Sequence, residues 1–278
     1  MNYKQVILVL FFIPLIILGQ IAPEKNIEGL LSNGDISFSS PIVFSNSKSS
    51  RISIASLDTN IFVMAWQDDL SGGKGYSMIG EIAGENIVFG ELEVFDPGVV
   101  GDITVKKLEA QKFIICWQDN KQGGIGKAIV GEVNYNIISY ADSYIFNDTI
   151  TENISLTAFD YNRCAISFSD GGDTFLGKTI KAQVVGNYVS FSPKTTFSTN
   201  QANEIKSFKL TDSTFAVVFT EGGNGPSSIV HGNLYPNIIS FGTGVGFSAE
   251  ATGQIEASGL FDNKFVLSYT SDGSAKTQ

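Results

Sequence analysis

The sequence predicts an all-β protein built from one four-stranded unit repeated along the chain. Three observations predict it. The stretches FVMAWQDD, FIICWQDN, CAISFSDG, FAVVFTEG and FVLSYTSD begin at residues 62, 113, 164, 215 and 265, steps of 51, 51, 51 and 50. A second signature, ISF, IVF, ISY, VSF and ISF, begins at 36, 87, 138, 189 and 239 with the same steps. Six residues after the aromatic of each copy stands Phe44, Phe95, Phe146, Phe197 or Phe247. Finally, the chain has 29 Gly, 21 Phe and only 17 % charged residues, a mixture suited to strands and tight turns. No long stretch after the N-terminus repeats apolar residues at helical spacing.

The chain begins MNYKQVILVLFFIPLIILGQ. Lys4, an apolar run from Val6 to Leu18, and then Gly19 match a secretory signal peptide, residues 1–20. The run is shorter than the roughly 20 apolar residues of a full membrane span, so a retained anchor is the lesser reading. Residues 21–33 read as a linker. A lone strand, DISFSSPIVF, follows before the first full unit.

Each unit parses into strands a to d. Strand a is RISIASL, DITVKKL, NISLTAF, EIKSFKL and QIEASGL. Strand b is the first signature. Strand c is GYSMIGEI, GKAIVGEV, GKTIKAQV and SSIVHGNL, and strand d carries the second signature. The short connections, Gly-rich between b and c, favour antiparallel neighbours. Apolar runs such as FIICW and FAVVF are apolar on both faces, as strands buried between two neighbouring sheets must be. A sandwich, with strict in/out alternation, and a solenoid are the minor alternatives.

Such units at this period read as β-propeller blades. The expected domain is 34–278, with blades at about 51–95, 102–146, 153–197 and 204–247. A fifth, split blade joins N-terminal strand d (34–45) to C-terminal strands a and b (254–278). Strand c of that blade is expected to be missing, so a fragment of a larger propeller is the second expectation. The pattern resembles the roughly fifty-residue propeller repeats of secreted bacterial surface proteins over residues 34–278. That resemblance implies export and a propeller fold; it does not imply a ligand.

The formal net charge is −10 with no Lys/Arg cluster, which argues against nucleic acid and anionic membrane surfaces as partners. Cys116 and Cys164, the only cysteines, lie in apolar strands and read as buried thiols.

Two columns are candidate sites on the face where b–c and d–a connections meet. One is acidic, two residues after the strand-b aromatic: Asp68, Asp119, Asp170 and Glu221, with Asp272 one place later. Carboxylates of this kind accept from sugar hydroxyls or bind calcium, yet they equally cap their own Gly-rich hairpins. Repetition in every unit favours capping. The other column is aromatic, with Trp66 and Trp117 as candidate sugar platforms and Phe168, Phe219 and Tyr269 at the same place; packing between units is the competing role. No D-x-D-x-D-G calcium loop occurs, and no cofactor is expected.

DGGDTF at 170–175 resembles the tail of the Asp-box of sialidase-type propellers. It departs in having Phe168 where that motif has Ser, and in joining b to c. The chain has only two arginines, Arg51 and Arg163, too few for a sialidase-like triad, and one histidine, His231. A Ser-His-Asp motif is missing, and paired acids for glycoside hydrolysis need unlike environments. NDT at Asn147 and NIS at Asn153 fit the glycosylation pattern but sit at a turn. The expectation is a secreted or cell-surface module, extracellular or periplasmic, binding carbohydrate or protein, monomeric if the ring closes, and not an enzyme. The alternatives are a polysaccharide-acting enzyme using the acid ring and a structural repeat of a longer adhesin-like protein.

Overall fold

A computed structural model describes residues 41–277 except 85, 223–224, 250–251, 261–262 and 272–273. The signal peptide, most of the N-terminal strand d and Asp272 lie outside the described residues.

Unit 1 comprises β1 (Ser49–Ser56), β2 (Ile61–Asp68), β3 (Lys74–Ala83), β4 (Asn86–Phe89) and β5 (Glu93–Asp96). Unit 2 comprises β6 (Val100–Glu109), β7 (Lys112–Asp119), β8 (Ile125–Asn134), β9 (Ile137–Tyr140) and β10 (Tyr144–Asn147). Unit 3 has β11 (Thr151–Ala158), β12 (Arg163–Asp170), β13 (Leu176–Val185), β14 (Tyr188–Phe191) and β15 (Thr195–Lys209). β15 runs on to serve as the first strand of unit 4, followed by β16 (Thr214–Glu221), β17 (Ser227–Leu234), β18 (Ile239–Phe241) and β19 (Val245–Ser248). Unit 5 has β20 (Gly253–Gly259), β21 (Phe265–Ser271) and β22 (Ser274–Thr277). All pairings are antiparallel, in the order a, b, c, d within units 1 to 4 and a, b, c in unit 5.

Two expectations are corrected. Strand d is two short pieces, both paired to strand c. In unit 1, Gly80 pairs with Phe89 and Ser77 with Glu93, so Gly90, Glu91 and Leu92 stand opposite Met78 and Ile79 alone. The same surplus residue recurs in units 2, 3 and 4. A bulge of this kind bends the outer strand and spoils it as a template for edge pairing. The third strand of unit 5, expected to be missing, is present as β22, paired with β21. The sheets stack in series, as blades do, and not as two facing layers. One apolar cluster joins units 1 and 2 through Val63, Ala65, Phe113, Ile115 and Trp117. Others join units 2 and 3 (Ile114, Cys116, Leu156, Ile166), 3 and 4 (Ala165, Phe215, Val217), and 4 and 5 (Val218, Leu267, Tyr269). The first strands β1, β6, β11, β15 and β20 are neighbours in that order, forming the inner wall. Both cysteines are buried and free.

The second signature explains itself at these interfaces. Each strand-d Phe meets the strand-b aromatic of the next unit: Phe44–Trp66 at 5.2 Å, Phe95–Trp117 at 5.3 Å, Phe146–Phe168 at 5.3 Å, Phe197–Phe219 at 5.0 Å and Phe247–Tyr269 at 5.3 Å between ring centroids. Tilted and edge-on pairs of this type contribute about 1 kcal/mol each beyond area burial. A second rule sits at the start of strand b. Phe62, Phe113 and Phe215 pair with Gly80, Gly131 and Gly232, where any Cβ would collide with the ring. In unit 3 the smaller Cys164 replaces the phenylalanine, and its partner is Ala182.

The last sheet differs. Val266 is 37 % exposed, whereas its counterparts Val63, Ala165 and Ala216 are at most 2 % exposed. Among the described residues, that face of unit 5 has no apolar cover comparable to those between the other units.

Candidate functional site

The acidic column lies at the ends of the second strands, at the b–c hairpins. Asp68 is buried and accepts from the backbone N–H of Leu70 and Ser71 in its own hairpin and from the Ser47 hydroxyl at 2.5 Å. Asp119 accepts from Gln122 N–H and pairs with Lys127 at 2.7 Å. Asp170 accepts from Gly172 N–H, the Thr149 hydroxyl, Asn147 Nδ2 and Lys194 Nζ. Glu221 accepts from Thr199 and Asn200. Ser47, Thr149, Thr199 and Asn200 belong to the connection entering each unit. The acids of units 1, 3 and 4 thus tie a hairpin to the neighbouring d–a connection, on the face expected.

Two of these carboxyls sit below the usual carboxylate range. For Asp170, burial works to raise the pKa, but hydrogen bonds from Thr149, Lys194 and Asn147 outweigh it. For Asp68, burial again works upward and is outweighed by Ser47, Ser71 and the Leu70 amide.

The candidate platforms are interior. Trp66 is 1 % exposed and Trp117 fully buried. The Trp117 indole donates to Asp96 Oδ2 at 2.9 Å. In unit 1, Ser45 stands where Asp96 stands, and the Trp66 indole N–H is buried without a partner among the described residues. Among those residues, no group of three or more His, Cys, Asp or Glu side chains is placed to hold a metal ion. His231 is exposed on β17.

The structure brings together a third column that the sequence reading passed over. Each first strand carries a bulge opposite the strand-b aromatic. Ser50 pairs with Gln67 and Ser53 with Ala65, leaving Arg51 and Ile52 opposite Trp66 alone. Asp102, Asn153, Glu204 and Gln254 occupy the same place in units 2 to 5. All five have left-handed backbones, with φ of 53°, 43°, 54°, 51° and 50°. For residues other than glycine this conformation costs on the order of 1 kcal/mol each, and such strain concentrates at working sites.

Four of these side chains, Arg51, Asp102, Asn153 and Glu204, line a cavity of about 290 Å³ together with Ile103, Ile205 and Lys206. It opens where the d–a connections run into the inner strands, on the same face as the b–c hairpins. Each member is tied to the next. Arg51 Nη1 donates to Asp102 Oδ1 at 3.0 Å. Asn153 N–H donates to Asp102 Oδ2 at 2.6 Å, and Glu204 N–H to Asn153 Oδ1 at 3.2 Å. The mouth therefore presents a preorganised set of donors and acceptors of both signs. The signal was present in the sequence as the first letter of each strand a: R, D, N, E and Q, always polar and never the same.

The sequence matches no protein-family model and no curated protein. Among solved structures it is similar to a protein of unknown function from Dyadobacter fermentans, at 12 % identity and a TM-score of 0.55, covering 80 % of this chain and 74 % of that one. It is also similar to the fucose-specific lectin from Aleuria aurantia (11 % identity, TM-score 0.47, 82 % and 90 % covered). A third is the intramolecular trans-sialidase from Ruminococcus gnavus (12 %, 0.47, 70 % and 46 %). These likenesses concern the fold, which is all-β and propeller-like. They also correct one expectation. Sialidases stand beside a lectin among the similar structures, so the expectation that the chain is not an enzyme does not hold, and its enzymatic status is open. No helix among the described residues is long and apolar enough to cross a membrane.

Proposed function

We propose that this chain is an exported β-propeller that takes a small hydroxyl-rich ligand, a carbohydrate, into the polar mouth at the head of its inner strands. The observation that carries the reading is the column Arg51, Asp102, Asn153, Glu204 and Gln254: strained in every unit, polar in every unit and different in every unit. A column kept for the fold repeats its chemistry, as the strand-d phenylalanines do. One that varies in chemistry while keeping its strained backbone fits an asymmetric ligand. Charged and amide groups held by one another suit hydroxyls, which both donate and accept. The signal-peptide pattern of residues 1–20 supports export.

The blade count belongs to the same proposal. Phe44 meets Trp66 as Phe95 meets Trp117. This supports four complete blades and a fifth split one, in which N-terminal residues 34–45 supply strand d.

Saturation-transfer NMR with a panel of neutral monosaccharides tests the ligand reading. Signal is expected for the wild-type chain and should fall in Glu204→Gln and Asn153→Ala. Signal that survives both changes, or no signal from any sugar, sinks it.

A further inference from the structure

Units 3 and 4 part at their outer edge, at the end of the sheets away from the mouth, and a proline explains why. Between units 1 and 2 the same place is closed. Glu91 donates its backbone N–H to Asn136 O at 3.2 Å, and a Cβ on Gly90 would stand 2.3 Å from that oxygen. The corresponding residues of unit 3 are Ser192 and Pro193. Proline has no N–H to give, and serine brings a side chain. The c–d turn of unit 4 is held instead by Lys181 on β13, whose Nζ donates to Pro236 O at 2.7 Å. A cavity of about 420 Å³ remains, and its lining includes Lys181, Gln183, Ser192, Pro193, Pro236 and Asn237.

Lys181 is only 7 % exposed, and its counterparts in units 1 and 2 are the apolar Ile79 and Val130. Packing at this position therefore does not call for a charge. An ammonium has three donors, and Pro236 takes one. Among the described residues, no carboxylate forms an ion pair with it. The other cations of this edge are matched: Arg163, opposite Gln183 in the sheet, with Asp160 at 2.6 Å, and Lys209 with Asp212 at 2.7 Å. Burial and the Arg163 charge hold Lys181 below the usual lysine value, and Asp160 opposes them. The side-chain amides of Gln183 and Asn237 make no hydrogen bond among the described residues. The cavity thus combines a cation lacking an ion-pair partner with two open amides.

We infer that this cavity is a second ligand site, which takes a small hydroxylated acid of the sugar-acid class, its carboxylate on Lys181 and its hydroxyls on the amides of Gln183 and Asn237. The carboxylate accepts the two donors that Pro236 leaves, and a hydroxyl both gives to and takes from an amide. A charge-assisted bond to a buried ammonium is stronger than the same bond on an open surface. The volume falls within the roughly 300–1,000 Å³ of small-molecule sites. Tying the unit 4 turn does not compete with this role, since one N–H serves the turn and two serve the ligand. The cavity shares no lining residue with the mouth, so the inference stands apart from the carbohydrate reading made there.

The test follows backbone amide shifts by NMR as D-glucuronate, D-glucose, acetate or inorganic phosphate is added to the full chain. Glucuronate should shift the Gln183, Ser192 and Asn237 amides to saturation. It should bind about tenfold more tightly than acetate or phosphate, the scale of one or two neutral hydrogen bonds. D-glucose should leave these amides unmoved. Lys181→Ile, which copies Ile79 of unit 1, should abolish the glucuronate shifts, and a circular-dichroism melt shows that it folds. Asn237→Ala, at an exposed turn, should bring glucuronate toward the affinity of acetate without disturbing the fold. The inference is overturned if glucuronate produces no saturable shift, if glucose, acetate or phosphate binds as tightly, or if the shifts survive Lys181→Ile. None of these results bears on the mouth, whose sugar signal depends on Glu204 and Asn153.

Discussion

Asn153 donates its backbone N–H to the carboxylate of Asp102 at 2.6 Å, and the two residues are 51 positions apart, the length of one unit. The same bond recurs one unit on, from Glu204 N–H to Asn153 Oδ1. A column that would be scattered on an extended chain is thereby wired into an arc. Asp102→Ala removes the acceptor and the Arg51 ion pair together. We expect a loss of about 1–2 kcal/mol in urea unfolding. Asp102→Asn keeps an acceptor and should lose less than half as much. Equal losses would show that the Asn153 bond contributes nothing.

The strained backbone of the column separates stability from ligand binding. Glu204 makes no described side-chain hydrogen bond, and its φ is +51°. Glycine there relieves the strain at some entropic cost. Glu204→Gly should leave thermal stability unchanged or raise it by up to about 1 kcal/mol, while sugar binding falls. A clear destabilisation would mean that the side chain holds the fold rather than the ligand.

Trp66 and Trp117 occupy one position in two units but differ at a single atom. The Trp117 indole has Asp96 as acceptor; that of Trp66 has none among the described residues. Trp117→Phe should therefore cost about 1–2 kcal/mol more than Trp66→Phe in chemical denaturation, since it also strands the Asp96 oxygen. Matching costs would contradict this account of the two indoles.

The pairing of Phe113 with Gly131, against Cys164 with Ala182, predicts a coupling. Gly131→Ala alone forces a Cβ into the Phe113 ring and should cost about 1–3 kcal/mol. Adding Phe113→Cys makes room for the methyl group. In a double-mutant cycle the two changes together should cost less than the sum of the singles, by at least about 0.5 kcal/mol. Simple additivity would refute the steric explanation.

Acid unfolding should report on Asp170, whose folded pKa lies below 3.8. Its contribution is fully present above the unfolded value and is lost as pH falls through the lower folded value. Asp170→Asn should be less stable at pH 7 by about 2 kcal/mol, the scale of hydrogen bonds to a charged group. It should also lose less stability than wild type between roughly pH 4 and pH 2. Parallel curves through that range would rule out a depressed Asp170.

Much of this was legible from the residues alone, and each part for a definite reason. The period was legible because each unit must present the same phenylalanine to the next unit's aromatic. The buried thiols were legible because Cys116 and Cys164 sit in strands apolar on both faces. The bulge in strand d was not legible: it is one surplus residue among Gly90, Glu91 and Leu92, and shows only when both strands are counted against each other. The third strand of unit 5 was overlooked because SAKT is short and polar, and pairs only because β21 offers it an edge.

The sequence by itself determined the repeated unit, its strand order and the aromatic contacts between units. These are periodic demands of packing, and periodicity is visible along a chain. Only the tertiary structure decided what the conspicuous columns do. Asp68, Asp119 and Asp170 drew attention because they repeat, and the structure turns them onto hairpins and neighbouring connections. Arg51, Asp102, Asn153, Glu204 and Gln254 drew none because they do not repeat. Stacking the sheets side by side brings residues one unit apart to within a hydrogen bond, and that closeness makes five unlike letters a single polar column.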